Sequence, residues 1–434
     1  MSATWITFVV AEQGNVWVGT NKGLIKCQNG AVTPYATPSG LPDAYTTAIH
    51  VDHNANVWVG TQSSGISRLA AGKWTSYSAA DGLTNNRITS ITEDHEGSLW
   101  VSTMAGLNQF RDVNIVPYTT KQGLASNNVS GGFDAADGSM YFLSAAGASI
   151  TRLNAGQATV QAALVGSVFT SRDGSQWIGQ NGSLTNFKDG KLKTFGLKDG
   201  LPLKWISAIT EDSESLILFL DHIGLQRFVD GQLKPYLLRD GQQYAASEYA
   251  IVLYSAPDGI LWLGTTGGLV KIEKGRSTAF GVKDGMAKDW VNFIYDDGNG
   301  SLWLASTGAG LTRFRNGKFT VFNTSVGLFN NEIYSVLGDD QGDLLLGSPA
   351  GIGRLSRNEL DDFEAGRNHA IHTQVYTTAD GMKADECFID FEPAAWKTRS
   401  GRLWFATTKG AVMIDPKAFK QNAHCGHDGP CAGR

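Results

Sequence analysis

Residues 259–265 read Gly259-Ile-Leu-Trp262-Leu-Gly-Thr265, with Gly268-Leu269 close behind, and this stretch decides the fold because the chain repeats it. The tryptophan, or a residue replacing it, marks ten positions: Trp17, Trp58, Trp100, Tyr141, Trp177, Leu218, Trp262, Trp303, Leu345 and Trp404. The steps between these markers are 41, 42, 41, 36, 41, 44, 41, 42 and 59 residues. A period this constant indicates a repeat array, with an insertion of about 17 residues in the last step.

Each repeat divides into four short segments with the alternation expected of strands. In one repeat these are Ile88–Glu93, Ser98–Thr103, Leu107–Arg111 and Ile115–Tyr118, separated by turns rich in Gly, Asp and Asn. Four strands per repeat predict an all-β fold, a β-propeller of about ten four-stranded blades. The marker tryptophans are expected to pack between blades, where a large flat side chain buries much apolar area.

The number of blades per ring stays open between two arrangements. Counting back seven markers from Trp404 reaches Tyr141, and the irregular 36-residue step follows directly. This favours three blades in residues 1–121, a seven-bladed ring in 122–420 and a disordered tail in 421–434. The alternative is a single ten-bladed ring.

Composition excludes several classes of partner. The 434 residues carry 36 Lys and Arg against 41 Asp and Glu, so no basic surface for nucleic acid or an anionic membrane is expected. The apolar run Trp5–Ala11 lacks a basic segment before it and is interpreted as a first strand, not a signal peptide. No window reaches the length of a membrane span, so no membrane contact by this segment is expected.

The corners between repeats carry a second motif, and paired asparagines follow two of them and the shorter corner Gly123-Leu124. The corners are Asp81-Gly-Leu83, Asp199-Gly-Leu-Pro202, Asp284-Gly-Met286, Val326-Gly-Leu328 and Asp380-Gly-Met382, and the pairs are Asn85-Asn86, Asn127-Asn128 and Asn330-Asn331. Together with the tryptophan motif, this set resembles the two-component regulator propeller repeats, over residues 5 to about 416.

The resemblance implies a function and a location. In that family the propellers form the periplasmic ligand-binding part of bacterial receptors, which continue into a histidine kinase or diguanylate cyclase, and several members sense oligosaccharides. Ten repeats instead of about fourteen, with no downstream module, fit a partial chain. The expected role is therefore a sensor domain on the periplasmic or extracellular side of a bacterial cell, with homodimerisation possible through absent downstream domains.

Candidate ligand-binding residues follow from treating the repeats as their own alignment. Four residues after the Leu or Met of each corner motif, just before the innermost strand, the side chains vary and are aromatic, amide or charged. They are Tyr45, Arg87, Asn128, Trp205, Trp290, Glu332 and Glu386. Such a mixture suits sugars, whose ring faces stack on aromatic groups while polar side chains bind their hydroxyls. Free drift of polar loop positions is the competing explanation.

No catalytic residue, metal site or cofactor is predicted. The Asp-rich turns lack the closing Glu of a calcium loop, and no phosphate loop, nucleophile elbow or zinc-protease helix is present. The pair His369 and His372 lacks a third ligand at metal spacing, and the tail residues His424, Cys425, His427 and Cys431 lie at the chain end. The alternatives to a sensor are a propeller lyase or glycosidase, and a protein-interaction scaffold.

Overall fold

The repeats fold into small antiparallel sheets whose strands follow one another along the chain. The computed structural model describes residues 4–12, 14–35, 41, 45–70, 72–94, 98–110, 115–135, 137–144, 149–154, 156–162, 166–188, 191–214, 216–220, 223–244, 249–288, 290–388 and 393–418. These residues form ten sheets in two compact units, Met1–Val113 (unit 1) and Asn114–Arg434 (unit 2). The predicted all-β propeller fold is confirmed.

Unit 1 holds three sheets. Sheet 1 is Ile6–Glu12 (β1), Asn15–Thr20 (β2), Gly23–Gln28 (β3) and Ala31–Tyr35 (β4); sheet 2 is Thr46–Val51 (β5), Val57–Thr61 (β6), Ile66–Ala70 (β7) and Lys73–Tyr77 (β8); sheet 3 is Ile88–Glu93 (β9), Leu99–Thr103 (β10) and Gly106–Phe110 (β11). Within the described residues, sheet 3 therefore has three strands instead of the predicted four.

Unit 2 begins with Ile115–Tyr118 (β12) and holds seven four-stranded sheets. Sheet 4 is Val129–Asp134 (β13), Met140–Ser144 (β14), Ser149–Asn154 (β15) and Gln157–Ala162 (β16). Sheet 5 is Ser167–Thr170 (β17), Gln176–Gln180 (β18), Ser183–Lys188 (β19) and Lys191–Phe195 (β20). Sheet 6 is Ile206–Glu211 (β21), Leu216–Leu220 (β22), Gly224–Val229 (β23) and Gln232–Pro235 (β24). Sheet 7 is Ala250–Ser255 (β25), Leu261–Thr265 (β26), Gly268–Glu273 (β27) and Arg276–Phe280 (β28). Sheet 8 is Phe293–Asp296 (β29), Ser301–Ser306 (β30), Gly310–Arg315 (β31) and Lys318–Phe322 (β32).

The last two sheets of unit 2 contain the insertion and the closing strand. Sheet 9 is Ser335–Gly338 (β33), Leu344–Ser348 (β34), Gly351–Leu355 (β35) and Gln374–Tyr376 (β36), with the helix Arg357–Glu364 (α1) before β36; sheet 10 is Ala395–Lys397 (β37), Leu403–Thr407 (β38), Gly410–Ile414 (β39) and β12. Short 3-10 turns occupy Ala79–Asp81, Thr120–Gln122, Leu197–Asp199, Val282–Asp284, Thr324–Val326, Thr378–Asp380 and Pro416–Ala418. The first strands of sheets 4 to 10 contact one another in sequence, and β37 of sheet 10 contacts β13 of sheet 4, so the order is closed.

The prediction that Ile115–Tyr118 is the fourth strand of its own repeat was wrong. The strand pairs antiparallel with β39, from Ile115 opposite Ile414 to Tyr118 opposite Ala411. It thereby supplies the fourth strand that the last repeat lacks in sequence, and it belongs to the compact unit that begins at Asn114.

The turn sequence gives the physical reason for this exchange. In sheets 1, 6, 7 and 8 the third and fourth strands are joined by two residues with positive φ, as in Asn29 (φ 49°) and Gly30 (φ 81°). This geometry is that of a type I′ hairpin, which glycine adopts readily and β-branched residues avoid. After β11 the sequence has Val113 where those turns have glycine, so a tight hairpin from β11 is disfavoured.

The marker tryptophans pack between neighbouring sheets, as predicted. Trp17 of sheet 1 packs with Ile49 and Val59 of sheet 2, and Trp262 of sheet 7 packs with Ile294 and Leu302 of sheet 8. Several markers also lie beneath a cation of the adjoining third strand: Lys26 over Trp17, Arg68 over Trp58, Lys271 over Trp262 and Arg313 over Trp303, at 5.5, 5.3, 5.8 and 4.9 Å from the ring centroids. The markers are thus scaffold residues.

An aspartate six residues before the marker fixes the indole in three sheets. Trp58 Nε1 donates to Asp52 Oδ2 at 2.8 Å, and the same bond joins Trp100 to Asp94 and Trp303 to Asp297. Sheet 9 keeps the aspartate, Asp339, although its marker is Leu345. Asp339 is 6% exposed, and its Oδ2 has no hydrogen-bond partner among the described residues. Burial raises the pKa of Asp339 above its ordinary value.

Asp339→Asn is therefore expected to stabilise unit 2 by about 1 kcal/mol at neutral pH. Its Oδ1 still accepts from the amides of Gln341 and Asp343, and the buried charge is gone. A carboxyl whose pKa rises on folding contributes its full stability below its unfolded pKa, about 3.8, and loses it as pH rises through the folded value. Denaturant unfolding should show a gain at pH 7 that disappears in acid.

The matched control is Asp297→Asn in sheet 8. Burial acts to raise the pKa of Asp297, but bonds from the Asn299 amide and the Trp303 indole, among other contacts, hold it below its ordinary value. Asp297 also pairs with Arg357 at 2.6 Å. This variant is expected to lose about 2–3 kcal/mol. If the two substitutions change the free energy of unfolding equally, the unpaired Oδ2 of Asp339 does not destabilise unit 2 as predicted.

Candidate functional site

The candidate site consists of the corner positions, defined as the residue four positions after the Leu or Met of each corner motif and, in sheet 7, as Tyr249, which lies thirteen residues before the marker Trp262. In four sheets the backbone carbonyl of this residue accepts from the amide that follows the second strand, at 3.0–3.1 Å, for Tyr45, Arg87, Tyr249 and Glu386. In three sheets the next residue donates its amide to the preceding sheet, as Val291, Ile333 and Cys387 do to Thr265, Ser306 and Ser348. The corner residues are therefore held by backbone bonds, and their side chains are left to vary.

The corner motif builds a rigid turn ahead of each such position. In the turn at Ala79–Asp81, the Asp81 carboxylate accepts from the Ser78 amide and hydroxyl, and Gly82 ends the turn at φ 111°. Thr119 with Gln122, and Thr377 with Asp380, form the same capping box. This explains why most of the corner motifs have an acid or amide followed by glycine; at Val326 the Asn323 side chain caps the turn instead, by accepting from the Ser325 amide.

The polar residue one position before the corner serves the scaffold. Asn86 Oδ1 accepts from the Ala79 amide at 2.6 Å, and Asn127, Asn331 and Asp385 accept in the same way from Thr120, Thr324 and Thr378. Each therefore closes its corner across seven residues. Their amide and acid character reflects turn chemistry and not ligand binding.

The seven predicted residues are divided between the units. Unit 1 contains Tyr45 and Arg87, both exposed. Unit 2 contains the other five, on sheets 4, 6, 8, 9 and 10 of the closed order: Asn128, Trp205, Trp290, Glu332 and Glu386. Trp290 is 43% exposed, which is unusual for a tryptophan in a packed sheet protein. The Asn128 Oδ1 is buried and has no partner among the described residues.

Two of the predicted carboxylates converge on one phenol. The Tyr334 hydroxyl donates to Glu332 Oε2 at 3.2 Å. Burial, then the charges of Glu332 and Glu386, raise the pKa of Tyr334 to about 12. Tyr334 therefore remains a neutral donor at neutral pH, between acidic groups of sheets 9 and 10. The adjacent Cys387 is fully buried, which raises the pKa of its thiol to about 12 and keeps it unreactive.

Sequence reasoning missed the corner residue of sheet 7, Tyr249. No Asp-Gly-Leu motif precedes it, because the chain passes through an irregular connection after β24. A fixed distance could have found it: Tyr45, Arg87, Asn128, Trp205, Trp290 and Glu332 each lie thirteen residues before their marker, and Tyr249 lies thirteen before Trp262. By the same count the corner of sheet 5 is Leu164, which lies outside the described residues.

The described part of the chain has neither a metal-ligand cluster nor a membrane-spanning helix. No group of three or more His, Cys, Asp or Glu side chains there is arranged to hold a metal ion. His372 contacts Glu359 of α1 at 2.5 Å, whereas the tail with Cys425 and Cys431 lies outside the described residues. Across the same residues, no helix has the length and apolar character that crossing a bilayer requires.

Comparison with known proteins gives a match to one family model and a similar fold. The family model described as Two component regulator propeller matches residues 82–105, which hold the corner and marker motifs of sheet 3. No curated protein sequence is significantly similar to the chain.

Two solved structures are similar over nearly the whole chain. The extracellular domain of the hybrid two-component system BT3049 from B. thetaiotaomicron has a TM-score of 0.72 and 19% identity, over 95% of this chain and 56% of that one. The extracellular domain of BT4673 from the same organism has a TM-score of 0.52 and 15% identity, over 95% and 58%. The chain thus spans just over half the length of these domains. The matched repeat and the similar propeller fold show that the chain resembles the two component regulator propeller family.

Proposed function

We propose that the chain is the ligand-binding part of an extracellular or periplasmic sensor of the two-component type. The observation that carries the proposal is the set of corner positions in unit 2: rigid backbone, varied side chains and exposed aromatic groups. The solved structures of this fold are extracellular domains of signalling systems, which supports a sensor role. Dimerisation through parts of a longer receptor belongs to the same proposal.

The proposed ligand is an oligosaccharide or another small polar molecule. Trp205 and Trp290 offer flat apolar faces, while Glu332, Glu386 and Asn128 offer acceptors for hydroxyl groups. A panel of neutral and charged oligosaccharides, screened by thermal shift and followed by calorimetry, tests this directly. A bound ligand recovered unchanged supports a sensor, and a new product indicates a lyase or glycosidase. Stable capture of a protein partner, with no small-molecule shift, indicates a scaffold.

Trp205→Ala and Trp290→Ala are each expected to abolish binding of the best oligosaccharide in that panel. Each removes a stacking face and leaves the backbone bonds of its corner in place, so circular dichroism and the ligand-free melting temperature should change little. Binding by titration calorimetry is the measurement. Wild-type affinity in both variants would show that the ligand lies elsewhere.

A further inference from the structure

We infer that Tyr249 is a ligand-contacting residue, and that Trp205, Tyr249 and Trp290 form one aromatic subsite for an elongated ligand with several ring faces. The inference rests on the proposed function, because it extends the same set of corner positions. Tyr249 has the backbone arrangement of a corner residue, since its carbonyl accepts from the Thr266 amide at 3.0 Å as that of Tyr45 does from Gln62. Its side chain is 40% exposed.

The three aromatic residues lie on consecutive sheets of unit 2. Their first strands, β21, β25 and β29, contact one another in this order. Tyr249 also makes an edge contact with Phe219, a residue of β22 in the sheet of Trp205, with ring centroids 6.4 Å apart. The tyrosine ring thereby lies against sheet 6, the sheet whose corner residue is Trp205.

An exposed leucine extends the apolar surface on the other side of Trp205. Leu203 is 70% exposed and lies over the turn at Gly182, where a Cβ would come within 2.7 Å of it. Exposed apolar groups that adjoin one another on a soluble protein mark binding surfaces. The acidic corner residues Glu332 and Glu386 belong to sheets 9 and 10, which follow sheets 6 to 8 in the closed order. The three aromatic corners are therefore followed by two acidic ones.

The spacing determines the kind of ligand. The first strands of neighbouring sheets approach to within 8 Å between Cα atoms, and three successive corners span two such steps. A monosaccharide cannot reach all three rings, whereas a linear chain of ring units can. Stacking uses the flat face of each side chain and not the phenol hydroxyl, so the tyrosine ring is required and its oxygen is not.

The test uses the length series, from monosaccharide to hexasaccharide, of the oligosaccharide with the largest thermal shift on the wild-type protein. Wild-type affinity should rise with length over the first few units. Tyr249→Ala and Tyr249→Leu should lower affinity for the longer forms about tenfold, or about 1.4 kcal/mol, and flatten the length dependence. Tyr249→Phe should behave as the wild type. Tyr249→Leu retains apolar volume against Phe219, which guards against misfolding. Leu192→Ala, an exposed apolar residue of β20, is the control and should change nothing.

The outcomes separate the inference from the proposed function. If Trp205→Ala and Trp290→Ala lose binding while Tyr249→Ala and Tyr249→Leu keep the wild-type length dependence, the three-ring subsite is wrong and the corner site stands. If the wild type binds no oligosaccharide, the proposed ligand class and the subsite both fail. If Tyr249→Phe has as low an affinity for the longer oligosaccharides as Tyr249→Ala, the tyrosine hydroxyl binds the ligand and stacking by the ring is excluded.

Discussion

Arg313→Ala is expected to lower the free energy of unfolding of unit 2 by about 2–4 kcal/mol, because it removes a buried side chain that packs on Trp303 and bonds to two partly exposed acidic groups. Arg313 is fully buried. Its Nη1 donates to Asp361 Oδ1 at 2.5 Å and Glu364 Oε2 at 2.8 Å on α1, and its Nε donates to Ser301 Oγ at 3.0 Å. The guanidinium also covers the Trp303 ring at 4.9 Å. The substitution therefore removes the contacts that Arg313 makes both within sheet 8 and with helix α1.

Arg315→Ala is the matched control for this prediction. Arg315 lies on the same strand, 40% of its side chain is exposed, and its nearest atom is 4.0 Å from Asp361. Exposed ion pairs contribute little, so a loss of no more than about 0.5 kcal/mol is expected. Chemical denaturation monitored by tryptophan fluorescence gives both values. A small effect of Arg313→Ala would mean that other contacts hold α1, namely the ion pair of Arg357 with Asp297 and the packing of Leu360 and Phe363.

Gly410→Ala is expected to cost about 2–5 kcal/mol, since it combines backbone strain with a clash at the closing strand. Gly410 has φ 121°, and a Cβ there would lie 2.2 Å from the Tyr118 carbonyl oxygen. The same close approach occurs within ordinary sheets, for example between Gly268 and the Phe280 oxygen at 2.1 Å. The β12 strand therefore occupies a normal fourth-strand position in sheet 10.

Gly138→Ala separates the two causes. Gly138 also has positive φ, 79°, but no atom lies within 4 Å of its hypothetical Cβ. It should cost only the strain, about 1–2 kcal/mol. Hydrogen exchange of the β12 and β39 amides should accelerate in Gly410→Ala and not in Gly138→Ala. Equal stability losses would show that the closing pair contributes nothing beyond the turn geometry.

The sequence was sufficient for the repeat, the strand order within a repeat and the packing of the markers, because these depend on local patterns and apolar periodicity. It failed at β12, since Leu107 and Tyr118 are separated by the same eleven residues as Leu24 and Tyr35, which do pair within one sheet. The difference lies in a single turn residue, Val113, whose effect is only visible when the turns of all repeats are compared.

The candidate site was predicted only where a motif precedes the corner. Trp205 and Trp290 follow such motifs, whereas Tyr249 follows an irregular connection and was missed. The shared phenol between Glu332 and Glu386 depends on the approach of two sheets and could not be read from one repeat. The role of Asp339 likewise required the three-dimensional position of an oxygen whose usual indole partner is absent.

The pairing of β12 with β39 has a mechanical consequence. Ile115, where the chain enters unit 2, lies opposite Ile414, near the point where the described chain leaves it. Tension between these two points would act across the strands and not along them. The inter-strand hydrogen bonds would then yield one after another, as in unzipping, instead of resisting together in shear. A pulling force on the chain would thus first separate β12 from β39, in the direction in which sheet 10 resists least.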